Sequence, residues 1–301
     1  MNKLIALLKH NYIVYNSIDE IKNVIDECNV VISGKGGYIK LTIGGDKEDN
    51  VLYDIFCDIL NLFFICYGSF PIIQSIELNS RHIDVSNLIG KYTTDGEWFK
   101  TNYVIHEING SIVNQDTVNL LRQKISKIPL SSFEYVLSED YKHVLIPHKL
   151  SLLLYSVQGL VNDENAKEST KFRSFINVVC QRLYHVDKIE KCETVDYILQ
   201  KEITYKNSKL FTKTLVDTRN WYSHFYYSPD DKEVLQKGND MMPYLFIVSY
   251  MLRVYILKTV GVKVPDSTIA YYLKQVHDWT AVYVRKDKGT KLLTSLYSFD
   301  E

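Results

Sequence analysis

Val30–Ile43 reads VVISGKGGYIKLTI, and shortly behind it Asn50–Tyr67 reads NVLYDIFCDILNLFFICY. The first stretch is rich in β-branched residues and is broken by Gly34, Gly36 and Gly37. That pattern predicts two strands joined by a glycine-rich turn. The GKGG run does not have the spacing of a nucleotide phosphate loop, so it is read as a turn. The second stretch is apolar at helical spacing, with Asp54, Asp58 and Asn61 on the opposite, solvated side. It predicts an amphipathic helix packed on a core. Beyond it, Ile72–Val85 and Trp98–Val113 alternate as strands do, and Thr117–Ile128 returns to the helical period. Residues 1–138 are therefore expected to form one mixed α+β domain.

The chain changes character near Glu139. Tyr141–Asn162, Lys167–His185, Val195–Gln200, Lys209–Tyr226, Lys232–Thr259 and Asp266–Asp278 all carry helical periodicity. Gly238 and Pro243 place the true start of the fifth helix near Asp240. Asp266 and Ser267, behind Pro265, suit the N-cap of the sixth. Connections such as Ser228–Asp231 are short and turn-like. Residues 139–301 are expected to form an all-α helical bundle, so the fold class is α+β overall.

At 301 residues, with 46% hydrophobic and 24% charged side chains, the chain can bury a sizeable core without disulfides or metal. Its 23 tyrosines suit half-buried surfaces and interfaces. The net charge of −1 hides an asymmetry. Residues 1–140 carry 12 basic and 18 acidic side chains, a balance of −6, whereas residues 141–301 carry 23 and 18, a balance of +5. The basic half is the one expected to meet an anion.

Five cysteines without paired spacing exclude a disulfide framework and suit a reducing, cytoplasmic setting. With neither CxxC nor HExxH, no metal or cofactor is expected. The opening residues Met1–Tyr12 have too short an apolar run for an export signal. Pro243–Val262 is apolar enough to suggest a membrane span, but Arg253 and Lys258 interrupt it. A buried bundle helix explains it better, and no membrane partner is expected.

The segment that carries chemistry is Leu215–Phe225, LVDTRNWYSHF. It holds Arg219, Asn220 and His224 in an otherwise apolar, aromatic helix, where an unpaired charge would be costly. Five residues of helix turn through about 500°, which leaves Arg219 and His224 roughly 140° apart. One helix alone therefore makes a poor pocket. Two copies across a two-fold axis would bring two arginines and two histidines to one cleft. The competing explanation is structural: Arg219 pairs with Asp217 or a neighbouring carboxylate, and His224 is a satisfied core histidine.

This segment resembles the signature of the HEPN superfamily: Arg, a polar residue, three variable residues, then His. The wording LVDTRNWYSH especially resembles the Apea-like HEPN proteins of bacterial defence. The likeness covers the motif closely and residues 139–290 loosely. It implies a metal-independent endoribonuclease acting as a homodimer on RNA, in a defence, abortive-infection or toxin role. A regulatory partner or a phage-derived trigger would hold or release it. Carried over by position, His224 would move protons at the 2′-hydroxyl or the leaving oxygen. Arg219 would hold the scissile phosphate, and Asn220 would orient the phosphate or the histidine. RNA carries its own nucleophile, so the chemistry needs no metal. Histidine exchanges protons near neutral pH, and arginine offers a planar fork to phosphate. The implied products are a cyclic phosphate and a free 5′-hydroxyl. The alternative is a non-catalytic HEPN module that binds RNA or nucleotide, or only dimerises.

Other residues carry weaker expectations. His143 and His148 read as surface or capping residues, and Asp54 with Asp58 as a solvated helix face. Tyr226 and Tyr227 follow the histidine closely, behind Phe225. Lys171, Arg173, Arg182 and Lys213 would supply a basic surface.

Overall fold

The computed structural model describes residues 1–10, 17–68, 70–84, 105–125, 146–162, 215, 217–222, 234–235, 238–265 and 268. The chain divides into two compact units, the first built on Met1–Ser126 and joined by Ile256–Lys263. The second takes in His143–Tyr255 and Val264–Glu301.

Among the described residues, the first unit is a six-stranded sheet with two helices packed on one face. Its elements are β1 (Asn2–Lys9), β2 (Ile18–Ile25), β3 (Cys28–Lys35), β4 (Tyr38–Gly45), α1 (Asp49–Tyr67), β5 (Ile72–Leu78), β6 (Arg81–Ile83) and α2 (Gln115–Ile125). The spatial order is β2-β3-β4-β1-β5-β6, and every neighbouring pair is antiparallel. The glycine stretch forms the expected hairpin of β3 and β4. Gly36 and Gly37, at φ 61° and 87°, turn the chain between Lys35 and Tyr38. Positive φ at both central residues matches the twist of the flanking strands. Asp26–Glu27 and Asn79–Ser80 turn the two other hairpins, also at positive φ.

Side chains alternate across the sheet as strand geometry requires. Leu4, Ala6 and Leu8 of β1, Val30 and Ile32 of β3, and Ile39, Leu41 and Ile43 of β4 are fully buried. Against them lies α1, with Leu52, Ile55, Phe56, Ile59 and Phe63 fully buried. This is the one described helix long and apolar enough to cross a membrane, and 72% of its apolar window is buried inside the fold. It is a core helix. Helix α2 opens on Asn114, whose Oδ1 accepts from Thr117 N at 2.9 Å. That is the N-cap geometry.

Strand β1 arises from LIALLK, whose lack of clear period-2 alternation gives no strand signal; pairing with β4 and β5 on both sides makes it a strand. Ile72–Val85, expected to alternate as strands do, holds the β5–β6 hairpin. Two expectations are corrected. The described part of Trp98–Val113, residues 105–113, is irregular, and Ile112 N and Val113 N fold back onto Asn109 O. Its apolar residues Ile105, Ile108, Ile112 and Val113 are still buried, so alternation here signalled burial and not pairing. Finally, only Asp54 of the acidic pair on α1 is solvated. Asp58 and Asn61 are buried, because α2 packs over them and supplies Arg122 to Asp58.

Among the described residues from 146 onward, regular structure is helical. Helix α3 (Ile146–Asn162) carries Pro147 in its first turn, where a missing N–H costs nothing, and buries Leu150, Leu153 and Leu154. Helix α4 (Gly238–Thr259) begins two residues before the expected Asp240, with Pro243 in its second turn. It ends where Val262 N bonds Leu257 O at 2.9 Å and Gly261 N bonds Lys258 O at 3.2 Å. These two bonds satisfy terminal carbonyls of the helix. Tyr244, Leu245, Val248, Tyr250, Leu252, Val254 and Tyr255 are all buried, as expected for a helix enclosed by other structure. Lys167–His185, Val195–Gln200 and nearly all of Asp266–Asp278 lie outside the described residues.

Candidate catalytic site

Residues 217–222 are helical, within the expected Lys209–Tyr226. Leu215 and Thr218 are buried, whereas Asp217, Arg219, Asn220, Trp221 and Tyr222 are partly exposed. The buried pair is spaced i, i+3 and defines the inner face of this helix. Arg219 and Asn220 stand beside that face with access to solvent, as a pair meeting a polar ligand requires.

Thr218 anchors the segment. Its Oγ1 accepts a hydrogen bond from Leu235 N at 3.0 Å. This buried bond ties the motif helix to the chain just ahead of α4. The residue was not singled out from the sequence. Its only signal is a hydroxyl placed one turn after Leu215 on an apolar face, a position that demands a partner.

The two polar motif residues meet. Arg219 Nη1 donates to Asn220 Oδ1 at 2.9 Å. One edge of the guanidinium is thereby held by its neighbour's carbonyl, which restrains the rotation of a long side chain. A restrained fork binds phosphate with less entropy to lose. The Asn220 amide nitrogen is a further donor of suitable type. Burial pushes the Tyr222 phenol above its ordinary value, so it stays a neutral hydroxyl at physiological pH. His224 lies outside the described residues, as do Tyr226 and Tyr227.

Residues 148–265 match the Apea-like HEPN family, a span that includes Arg219, Asn220 and His224. The chain carries an Apea-like HEPN domain. Domains of this superfamily are often ribonuclease effectors, and often dimerise and bind RNA. No curated protein and no solved structure matches the chain.

Elsewhere in the HEPN domain, α4 carries Arg253, a buried cation one turn beyond Tyr250. The Tyr250 hydroxyl donates to Thr268 O at 3.2 Å, and burial pushes its phenol strongly up. This tyrosine acts as a structural donor, linking α4 to the segment that follows it. His148 is exposed on α3, as expected of a surface residue, and His143 lies outside the described residues. Lys171, Arg173, Arg182 and Lys213 also lie outside them.

The first unit has its own polar cluster. Arg122 of α2 reaches Asp58 Oδ2 through Nε and Asp26 Oδ2 through Nη1, both at 2.7 Å. Gln115 completes it: its Nε2 donates to Asp26 Oδ1 at 3.0 Å, and its Oε1 accepts from Asp26 N at 2.6 Å. Burial raises the Asp58 carboxyl to about 6, with Arg122 limiting the rise. The cluster locks α2 onto α1 and the β2–β3 turn. A groove of about 400 Å³ lies between β2 and residues 107–110, over Tyr67. Its charged side chains, Asp19, Glu20, Lys22 and Glu107, do not form a reactive set. Among the described residues no group of three His, Cys, Asp or Glu side chains is placed to hold a metal ion.

Proposed function

We propose that this protein is a metal-independent endoribonuclease whose HEPN domain forms an all-α bundle over residues 139–301. Residues 1–138 form a separate recognition domain in this reading. The observation that carries it is the Arg219–Asn220 pair, partly exposed and hydrogen-bonded at 2.9 Å, in the motif position of an Apea-like HEPN domain.

The chemistry follows from the residue types. Arg219 binds the scissile phosphate and offsets the charge that grows on it in the transition state. Asn220 holds the Arg219 fork and offers its amide to a phosphate oxygen. His224 takes the proton of the 2′-hydroxyl or returns one to the leaving 5′-oxygen. The new bond joins the 2′-oxygen to phosphorus and the bond to the 5′-oxygen breaks, so a 2′,3′-cyclic phosphate and a 5′-hydroxyl result. A homodimer supplies the second copy of each group that one helix cannot present. The setting is the cytoplasm, and the role is RNA cleavage in defence, restrained until a partner or a phage-derived signal releases it.

The test is direct. Purified protein incubated with RNA in EDTA should yield fragments ending in cyclic phosphate. Activity that vanishes on chelation and returns with magnesium or manganese would overturn the mechanism. Binding without cleavage would favour a non-catalytic HEPN module.

A further inference from the structure

Among the described residues, α1 and α2 pack on one face of the first unit's sheet, and the other face is unusual in composition. Alternation and register place Lys3, Ile5, Leu7 and Lys9 of β1 on this face. Tyr38, Lys40 and Thr42 of β4 stand beside them, followed by Val31, Ser33 and Lys35 of β3. Lys22 and Val24 of the edge strand β2 extend it. Three of the large hydrophobic side chains exposed in this protein lie here: Tyr38 at 49%, Leu7 at 39% and Val24 at 54%.

The charge is one-sided. Five lysines, Lys3, Lys9, Lys22, Lys35 and Lys40, share the face with Glu20 and Glu77. Glu20 is already paired with Lys22 at 2.5 Å. Among the described residues, no ion pair engages Lys3, Lys9, Lys35 or Lys40. Lysines commonly guard sheet edges against unwanted pairing. That explanation covers Lys22 alone, because β1, β3 and β4 are interior strands.

The register concentrates these groups around one ring. Tyr38 stands opposite Lys35 on β3 and opposite Lys9 on β1, with Lys40 two residues along its own strand. Adjacent strands are about 4.8 Å apart, and same-face neighbours on one strand about 7 Å apart. An exposed aromatic ring thus lies within side-chain reach of three free ammonium groups.

We infer that this open sheet face binds single-stranded RNA, with Tyr38 stacking on a base and Lys9, Lys35 and Lys40 contacting the flanking phosphates. Stacking platforms edged by cations are how proteins hold unpaired strands without reading sequence. Bases supply the flat apolar partner that Tyr38 and Leu7 lack, and phosphates supply the missing anions. In naming RNA rather than DNA, the inference rests on the ribonuclease reading.

The probe is a short labelled oligouridylate, titrated by fluorescence anisotropy into the full chain carrying Arg219→Ala so that it stays uncut. Tyr38→Ala should weaken binding about tenfold, and Tyr38→Phe should not, because only the ring is needed. Replacing Lys9, Lys35 and Lys40 together by Gln should lower the logarithmic salt slope by about 2, at about 0.7 per phosphate contact. Lys47→Ala, which removes a lysine already paired with Glu27 at 2.7 Å, should change neither quantity. These substitutions lie on an exposed face, so the thermal transition should not move. Unchanged affinity and salt slope in both the Tyr38→Ala and the triple variant would overturn the inference. So would equal binding of single-stranded DNA, or binding of phosphatidylserine vesicles in place of the oligonucleotide. No binding of the oligouridylate, with cleavage by the unmodified chain intact, would refute this surface alone. Intact binding without cleavage by the unmodified chain would refute the nuclease reading alone.

Discussion

At the scale of the residue, the site rests on side chains whose freedom is restricted before any substrate arrives. The 2.9 Å bond from Arg219 to Asn220 restrains a guanidinium, and Thr218 fixes the helix beneath it. In the proposed mechanism, removing His224 removes the proton carrier and removing Arg219 removes the phosphate clamp. His224→Ala and Arg219→Ala should each lower RNA cleavage by about 10²–10⁴-fold. Asn220→Ala, which loosens the fork and removes one neutral donor but neither the charge nor the proton carrier, should cost less than either. Melting curves and cleavage assays on the same samples separate catalysis from folding. Destabilised variants that lose activity only in proportion to unfolding would instead make the pair structural. A His224→Ala protein that folds and cleaves at the wild-type rate would refute the role of that residue.

At the scale of the element, two joints in the first unit make opposite demands. The Asp58–Arg122 joint holds α2 on α1 at the cost of a buried carboxyl. Asp58 ionises near 3.8 in the unfolded chain and near 6 in the fold, chiefly through burial. The folded state therefore holds this proton more tightly. Its contribution to stability is full below about pH 4 and is lost as pH rises through about 6. Asp58→Asn should flatten the fall in α1 protection between those limits, read by hydrogen exchange; an unchanged pH profile would assign the dependence elsewhere. The second joint is steric. A Cβ at Gly45 would lie 2.7 Å from Cys28 Sγ and 3.2 Å from Cys28 Cα. Because backbone as well as side chain is in the way, Gly45→Ala should cost about 1–3 kcal/mol. Adding Cys28→Ala should recover only part of that, measured by chemical unfolding.

At the scale of the whole molecule, the reading requires two copies of the chain. In a continuous helix Arg219 and His224 would stand too far apart around the axis to enclose a phosphate by themselves. Sedimentation should give twice the chain mass at micromolar concentration, and cleavage per chain should fall on dilution through the dissociation range. A strict monomer with full activity would remove the composite cleft.

The antiparallel hairpin at Val30–Ile43 and the core helix behind it were legible in the sequence, because β-branched runs, paired glycines and the 3.6-residue period are local causes with local effects. Arg219, Asn220 and His224 were legible as candidates for the same reason: charge in an apolar helix needs an explanation wherever it falls. Other features depend on partners remote in the chain. Strand β1 forms because β4 and β5 flank it, and Asp58 is buried because Arg122 arrives from sixty-four residues away. The lysine-rich face is the plainest case. It lies within the half of the chain that carries the acidic excess, so counting charges along the sequence pointed away from it. Pairing β1, β3 and β4 side by side brought Lys9, Lys35, Tyr38 and Lys40 together, and alternation turned them all to one side of the sheet. Charge along a chain sets its total, but only strand register decides which charges become neighbours.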